Sequence, residues 1–336
     1  MTSAGQNIAV IADLTEAAAR PRAKAAPGSR GTADAMAAAR AAFPDWKFAP
    51  NIGGHPEVYE LENQAVDSAG HVLAAMHALA PWDGRTLVDL GCGAGFWLSR
   101  YAGGALTGTG SVAVPVGATT VPVPVGATTV PVPVPAGATV PAGGAAAGRV
   151  IGIEPDPALR AAAITRTAHL PGTEVLAGSA ERLPLPACSV DVVHARFAYF
   201  LAPGGDAGLA EVLRVLRPGG SLVVVDNDYR WGQFAQLLAA ASASPPERTA
   251  AAIDTWWRGR GALRRAVRSE LRFSSRSDLA AVLHIELPAH AARSWLARNP
   301  AATSLTYGYV LFAVHRASSG PVSPDPVSGE AASGTR

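Results

Sequence analysis

The segment Val88-Asp89-Leu90-Gly91-Cys92-Gly93-Ala94-Gly95 constrains this chain more than any other. Thr86 to Leu90 is a short, largely apolar run, the composition of a strand buried on both faces, and it empties into three glycines spaced two apart. Glycine has no side chain in the way, so a ligand can approach such a turn closely. Phe96 to Tyr101 then opens a helix. Strand, turn and helix in that order put the turn at the carboxyl end of a parallel sheet, where doubly wound folds bind their ligands.

The following segments continue the alternation. Val150-Ile151-Gly152-Ile153 reads as a second strand, followed by Asp156-Pro157, an N-cap with proline at the first helical position. A third strand is expected near Val175-Leu176 and a fourth across Val190 to His194. The helix Ala207 to Leu216 stops at Arg217-Pro218-Gly219-Gly220, and Ser221 to Asp226 forms the fifth strand. The remainder, to about Arg316, reads as mostly helical, with strands near Leu271-Arg272-Phe273 and across Tyr307 to Val314. This pattern predicts an α/β fold with a doubly wound, mostly parallel sheet and flanking helices. Upstream, Leu61, Ala65, Val72, Leu73, Met76 and Leu79 recur at helical spacing, which predicts one helix from Tyr59 to Leu79, ended by Pro81.

Residues 1–42 form an Ala-rich leader with weak periodicity, and order is expected from Phe43. A single domain is predicted over 43–317. Within it, 103–148 is a low-complexity Val/Pro/Gly/Thr insert in which Val-Pro-Val-Gly-Ala-Thr-Thr stands at 114–120 and again at 123–129. Two copies are too few for a solenoid, so the insert is expected at the rim of the fold. Residues 318–336 have the composition of a disordered tail.

Of 336 residues, the charged ones leave a formal net charge of only +2, which gives no reason to expect nucleic acid or an anionic membrane as the main partner. Cys92 and Cys188 are too few for a disulfide framework, and Met1 to Arg20 lacks a signal-peptide pattern; a cytoplasmic protein is the expectation. The uncharged stretch between Arg100 and Arg149 is too rich in proline to cross a membrane as a helix. Arg258, Arg260, Arg264, Arg265, Arg268, Arg272 and Arg276 form the one basic cluster, expected as a solvated helix face. No metal site is predicted.

Two ligand chemistries compete for the glycine turn. A dinucleotide fingerprint, Gly-x-Gly-x-x-Gly, needs glycine at 96, where Phe96 stands. An acid, Asp89, precedes the glycines instead; it would repel a pyrophosphate but suits a ligand with a cationic end. S-adenosylmethionine has an ammonium, a sulfonium and no phosphate. Glu154, at the end of the second strand, can accept both hydroxyls of a ribose. Gly178-Ser179-Ala180-Glu181-Arg182-Leu183-Pro184 follows the third strand, where an adenine could lie.

These segments, with Leu216-Arg217-Pro218-Gly219-Gly220, resemble in their order the class I S-adenosylmethionine-dependent methyltransferases, in particular the small-molecule branch often called type 11. The resemblance covers roughly residues 50 to 316, insert excluded, and implies a Rossmann-like sheet of seven strands. It implies that Asp89, Gly91, Cys92, Gly93, Ala94 and Gly95 hold the methionine part and Glu154 with Pro155 the ribose. Ser179, Ala180 and Glu181 would face the adenine, and Ala195 and Arg196 would close over the cofactor. The family usually carries Asp where Ser179 stands, and the insert stretches the gap between the glycines and Glu154. The implied acceptor is a small molecule and not nucleic acid.

Methyl transfer from a sulfonium needs little besides alignment, so no catalytic residue is dictated. Candidates near the strand ends are His194, Tyr199 and Asp226; Asp228 reads as a cap of the following helix. His55, Tyr59 and Asn63 could form a lid, and Trp256, Trp257 and Arg258 could touch substrate or equally form an amphipathic helix face. Two other readings stay open: a protein that binds the cofactor without transferring its methyl, and an NAD(P)-dependent oxidoreductase, which Phe96 and Asp89 disfavour.

Overall fold

A computed structural model of the chain describes residues 29–46, 54–103, 146–241 and 248–318. Most of the insert, the leader to residue 28 and the tail from 319 lie outside the described residues.

Seven strands build one sheet: β1 Thr86–Leu90, β2 Arg149–Ile153, β3 Thr173–Leu176, β4 Val190–Arg196, β5 Leu216–Asn227, β6 Leu263–Arg272 and β7 Ser304–His315. Their order is β3-β2-β1-β4-β5-β7-β6. β1 to β5 pair in parallel, and β7 runs antiparallel to both β5 and β6. The winding direction switches between β1 and β4, so the crevice beyond their carboxyl ends is the natural ligand position.

The central strands are apolar because both faces are covered. One face packs against α2 (Pro56–Ala65), α3 (His71–Leu79), α4 (Leu98–Tyr101), α7 (Gln233–Ala240), α9 (Arg276–Glu286) and α10 (Ala289–Arg298). The other packs against α6 (Asp206–Val215) and α8 (Ala250–Arg258). α1 (Ser29–Ala42) precedes these helices, so regular structure begins earlier than the aromatics at Phe43 suggest.

α5 (Pro157–Thr167) starts as its sequence dictates. The Asp156 carboxylate accepts the amides of Ala158 (2.8 Å) and Leu159 (3.1 Å) behind Pro157. Asp156→Ala should cost about 1 kcal/mol, the usual worth of such a cap, read as a lower denaturant midpoint at unchanged slope.

Three expectations are corrected. The predicted helix Tyr59–Leu79 is two helices, broken at 66–70. Asp67, with φ +53, turns its carboxylate onto the amides of Val72 and Leu73 at 2.9–3.0 Å and so starts α3 itself, while Val66 bridges Leu271 of β6. The basic cluster is not a helix face. Arg264, Arg265, Arg268 and Arg272 lie on β6, an edge strand, where charge discourages pairing with other chains. Arg264 pairs with Asp254 (3.0 Å), and Arg260 with Asp206. Finally, β5 begins at Leu216, before the Pro-Gly-Gly turn, because Leu216 pairs with Val190 ahead of an irregularity.

Candidate functional site

The glycine turn leaves the end of β1 through left-handed backbone at Gly91 (φ +73), Gly93 (φ +56) and Gly95 (φ +78). Gly91 and Cys92 both donate to the Ile153 carbonyl, at 2.8 and 3.1 Å, and Gly95 donates to Cys92 (3.0 Å), which fastens the turn to the end of β2. A Cβ on Gly91 would stand 2.5 Å from the Ala198 Cβ, and one on Gly93 3.3 Å from the Tyr59 hydroxyl. The turn is thus roofed by the segment after β4 on one side and by α2 on the other.

Glu154 lies under this roof, almost wholly buried. Its Oε2 accepts the Gly93 amide (2.9 Å) and its Oε1 the Asp156 amide (2.8 Å). Burial pushes its carboxyl up to about 7 against the pull of those two amides. Each oxygen keeps a lone pair with which it can accept a further hydroxyl. Pro155 carries on from it, and Arg160 donates to the Glu154 (2.8 Å) and Pro155 (3.0 Å) carbonyls, fixing the bend.

Asp89 is more isolated. It is 1% exposed, its Oδ2 has no hydrogen-bond partner, and burial raises its carboxyl to about 6 while Arg196 opposes the shift. An unpaired carboxylate in such a place is costly unless a cation joins it. The Arg196 guanidinium stands over the Trp97 ring, 3.9 Å from its centre, with Arg100 over the same indole at 4.6 Å. Its Nε is buried without a partner. Trp97 and Tyr101, before and on α4, carry no distinguishing sequence signal, because a Phe-Trp pair after a glycine turn reads equally well as plain core.

The other predicted contacts fall around this centre. Cys92, Ser179, Ala180 and Ala195 are buried, while Ala94 and Glu181 are partly buried, Glu181 beside Tyr199. Cys92 has its thiol held well above the usual range, by burial first and then by Asp89 and Glu154, so it is a packing residue and not a nucleophile. Of the lid trio, Tyr59 reaches the glycine turn and Asn63 hydrogen-bonds to Tyr59, whereas His55 is exposed at the start of α2. Arg166 of α5 grips Glu60 with two bonds, at 3.1 and 2.7 Å, and so anchors α2 over the turn.

The catalytic candidates are all committed elsewhere. His194 is fully buried between the rings of Trp82 (5.2 Å) and Tyr101 (5.1 Å), and burial depresses it to about 3, too weak for a base at neutral pH. The Tyr199 hydroxyl accepts the Gly208 amide (3.0 Å), and burial lifts it to about 12. Asp226 forms a buried ion pair with Arg248 at 2.6 Å. Arg248 had no sequence signal, since nothing periodic marks the stretch before α8. Asp228 accepts the Arg230 amide (3.2 Å) and does not cap α7, whose N-cap is Gly232. Trp257 lies in the core on the opposite face, and Trp256 stacks under Arg260. Neither enters the site.

Among the described residues, no cluster of His, Cys, Asp and Glu is arranged to hold a metal ion, and no helix is long and apolar enough to cross a membrane. What remains is a roofed crevice at the switch point with two buried carboxylates and one stacked guanidinium. Residues 135–224 match the family model described as a methyltransferase domain. The methyltransferase-domain match runs through β2, α5, β3, β4, α6 and most of β5, and so takes in Glu154, Ser179 and Arg196 but not the glycine turn.

Over 83 residues the chain is 42% identical to an uncharacterised 37.1 kDa protein in transposon TN4556 of Streptomyces fradiae. The alignment covers 24% of each, so the chain spans about a quarter of that relative's length. Solved structures of loosely similar shape include the YcgJ protein of Bacillus subtilis, at 14% identity and a TM-score of 0.45 over 74% of this chain and 98% of that one. Another is an S-adenosylmethionine-dependent methyltransferase from Aquifex aeolicus, at 18% identity and a TM-score of 0.41 over 80% and 98%.

Proposed function

We propose that the chain is an S-adenosylmethionine-dependent methyltransferase acting on a small molecule in the cytoplasm. The observation that carries this reading is the Asp89 carboxylate, buried beside the glycine turn with its Oδ2 lacking a hydrogen-bond partner. That environment favours a cationic group and penalises a pyrophosphate, which separates this cofactor from NAD(P). The methyltransferase-domain match supports it independently.

The residues present fit the cofactor. Asp89 would pair with its ammonium and Arg196 with its carboxylate, across the floor formed by Gly91 to Gly95. Glu154, already fixed by two backbone amides, would take the ribose hydroxyls with its remaining lone pairs. Ser179, Ala180 and Glu181 would border the adenine. Tyr59 and Asn63 on α2 would cover the methionine part and exclude water. When bound, the cofactor supplies a methyl already activated on sulfur, so the chain's part is to hold donor and acceptor in line.

Glu154→Ala is expected to weaken cofactor binding by about 1–3 kcal/mol, the worth of hydrogen bonds to a charged acceptor, as read by titration calorimetry. The reaction itself is tested by incubating the chain with S-adenosylmethionine and pooled amines, alcohols, thiols and carboxylates. Acceptor-dependent formation of S-adenosylhomocysteine is the expected result. Tight binding without turnover in any pool would replace the transferase by a protein that holds the cofactor.

A further inference from the structure

The indole of Trp97 holds two guanidiniums, Arg196 at 3.9 Å from the ring centre and Arg100 at 4.6 Å. Trp97 follows the last glycine of the turn by two residues and is 1% exposed. Its carbonyl accepts the amides of Arg100 (3.0 Å) and Tyr101 (3.2 Å), and the next amide, of Leu98, donates back to Gly95 (3.2 Å). The residue is thus fastened to the end of the glycine turn. Its own N–H is buried without a partner. An apolar side chain would fill this place without that cost, so packing alone gives no reason for an indole. The ring's face, which attracts cations, does.

Arg196 comes from β4. Asp89 and Leu90 of β1 stand in register with His194 and Ala195, which brings Arg196 level with Gly91. Burial raises the Asp89 carboxyl to about 6, and the positive charge of Arg196 opposes that rise. Even so, Asp89 Oδ2 and Arg196 Nε are both buried and both without a hydrogen-bond partner. Opposite charges this near close on one another unless something else holds them, because a buried ion left unpaired is costly. The indole supplies the competing place for Arg196, and a cation over a ring is held more firmly where water is excluded. It also offsets the repulsion from Arg100, which burial holds below its ordinary range, with Asp67 opposing and Arg196 adding to the effect.

We propose that Trp97 is a positioning residue: by holding Arg196 off Asp89 it keeps a positive and a negative group apart at the turn, and so selects a ligand with a zwitterionic end, an ammonium beside a carboxylate. The proposal rests on the methyltransferase reading, in which Asp89 takes the ammonium and Arg196 the carboxylate, and it names the residue that keeps both available at once. Without the indole, Arg196 turns onto Asp89, and the two charges cancel instead of each meeting its counter-charge on the cofactor.

The test is calorimetric titration of the full chain with S-adenosylmethionine, with its decarboxylated analogue, and with methylthioadenosine, which lacks the whole amino-acid end. The unaltered chain should bind S-adenosylmethionine about tenfold or more tightly than the decarboxylated analogue. Trp97→Met, which fills the space without an aromatic face, should cut that preference below about threefold while methylthioadenosine binds as before. Trp97→Phe, which keeps a smaller ring, should fall between. Its effect on the preference should vanish once Arg196→Leu is in place, since the ring acts through that guanidinium. This second comparison decides the question if Trp97→Met does not fold. An unchanged preference in Trp97→Met, an equal loss for all three ligands, or the same effect of Trp97→Phe with and without Arg196 overturns the positioning role and leaves the methyltransferase reading standing. Failure of the unaltered chain to bind any of the three overturns that reading, and the proposal with it.

Discussion

Gly93→Val is expected to lose more than about a hundredfold in affinity for S-adenosylmethionine while still unfolding in one cooperative step. Three features of the turn converge on this position. The backbone sits at φ +56, where a β-branched residue is strained by roughly 1–3 kcal/mol. The new side chain would grow toward the Tyr59 hydroxyl, 3.3 Å from the first added carbon, and so into the space between α2 and the turn that the methionine part would fill. The Gly93 amide also holds Glu154 at 2.9 Å, so any shift of the turn misplaces the ribose acceptor as well. The obstructing neighbour is the end of a flexible side chain, and the fold survives its displacement. Calorimetry together with a thermal melt separates the two effects. Affinity equal to that of the parent would remove the cofactor from this turn.

Asp89→Asn should move stability and binding in opposite directions. The native carboxyl keeps its proton up to about pH 6, whereas the unfolded one releases it near 3.8. Between those values the native state holds more protons, so stability falls as pH rises through the window, and above it the ionised carboxylate costs about 3 kcal/mol. An amide carries no such charge. At pH 8 the variant without ligand should be about 1–2 kcal/mol more stable than the parent, part of the gain being offset by the buried amide's own desolvation. Its stability should also change less between pH 4 and 6. Binding of S-adenosylmethionine should weaken about 30- to 150-fold, equivalent to about 2–3 kcal/mol for a lost charged partner. A variant that is both less stable and equally tight in binding would show that Asp89 is structural.

The carboxyl-end crevice was legible because it depends on local rules. A buried strand, alternating left-handed glycines and the Asp156-Pro157 cap each follow from a few neighbouring residues, and the structure puts Asp89, Glu154 and Arg196 around one turn. What escaped the sequence depends on contacts between distant residues. The break after Ala65 exists because Asp67 reaches forward to two amides of α3 and Val66 pairs with β6. Arginines at 264, 265, 268 and 272 imitate a helix face, yet ten residues of register with β7 make them a strand. Arg248 acquires its role only when the chain returns to Asp226, 22 positions earlier. His194, an attractive base in a strand sequence, is disarmed by Trp82 and Tyr101, which arrive from other elements.

Whether a cationic cofactor sits on Asp89 and the glycine turn is decided by calorimetric titration of the chain with S-adenosylmethionine, S-adenosylhomocysteine and NADH. Dissociation constants of about a micromolar are expected for the first two, with no binding of NADH. Heat on addition of NADH with none on addition of S-adenosylmethionine would contradict that expectation.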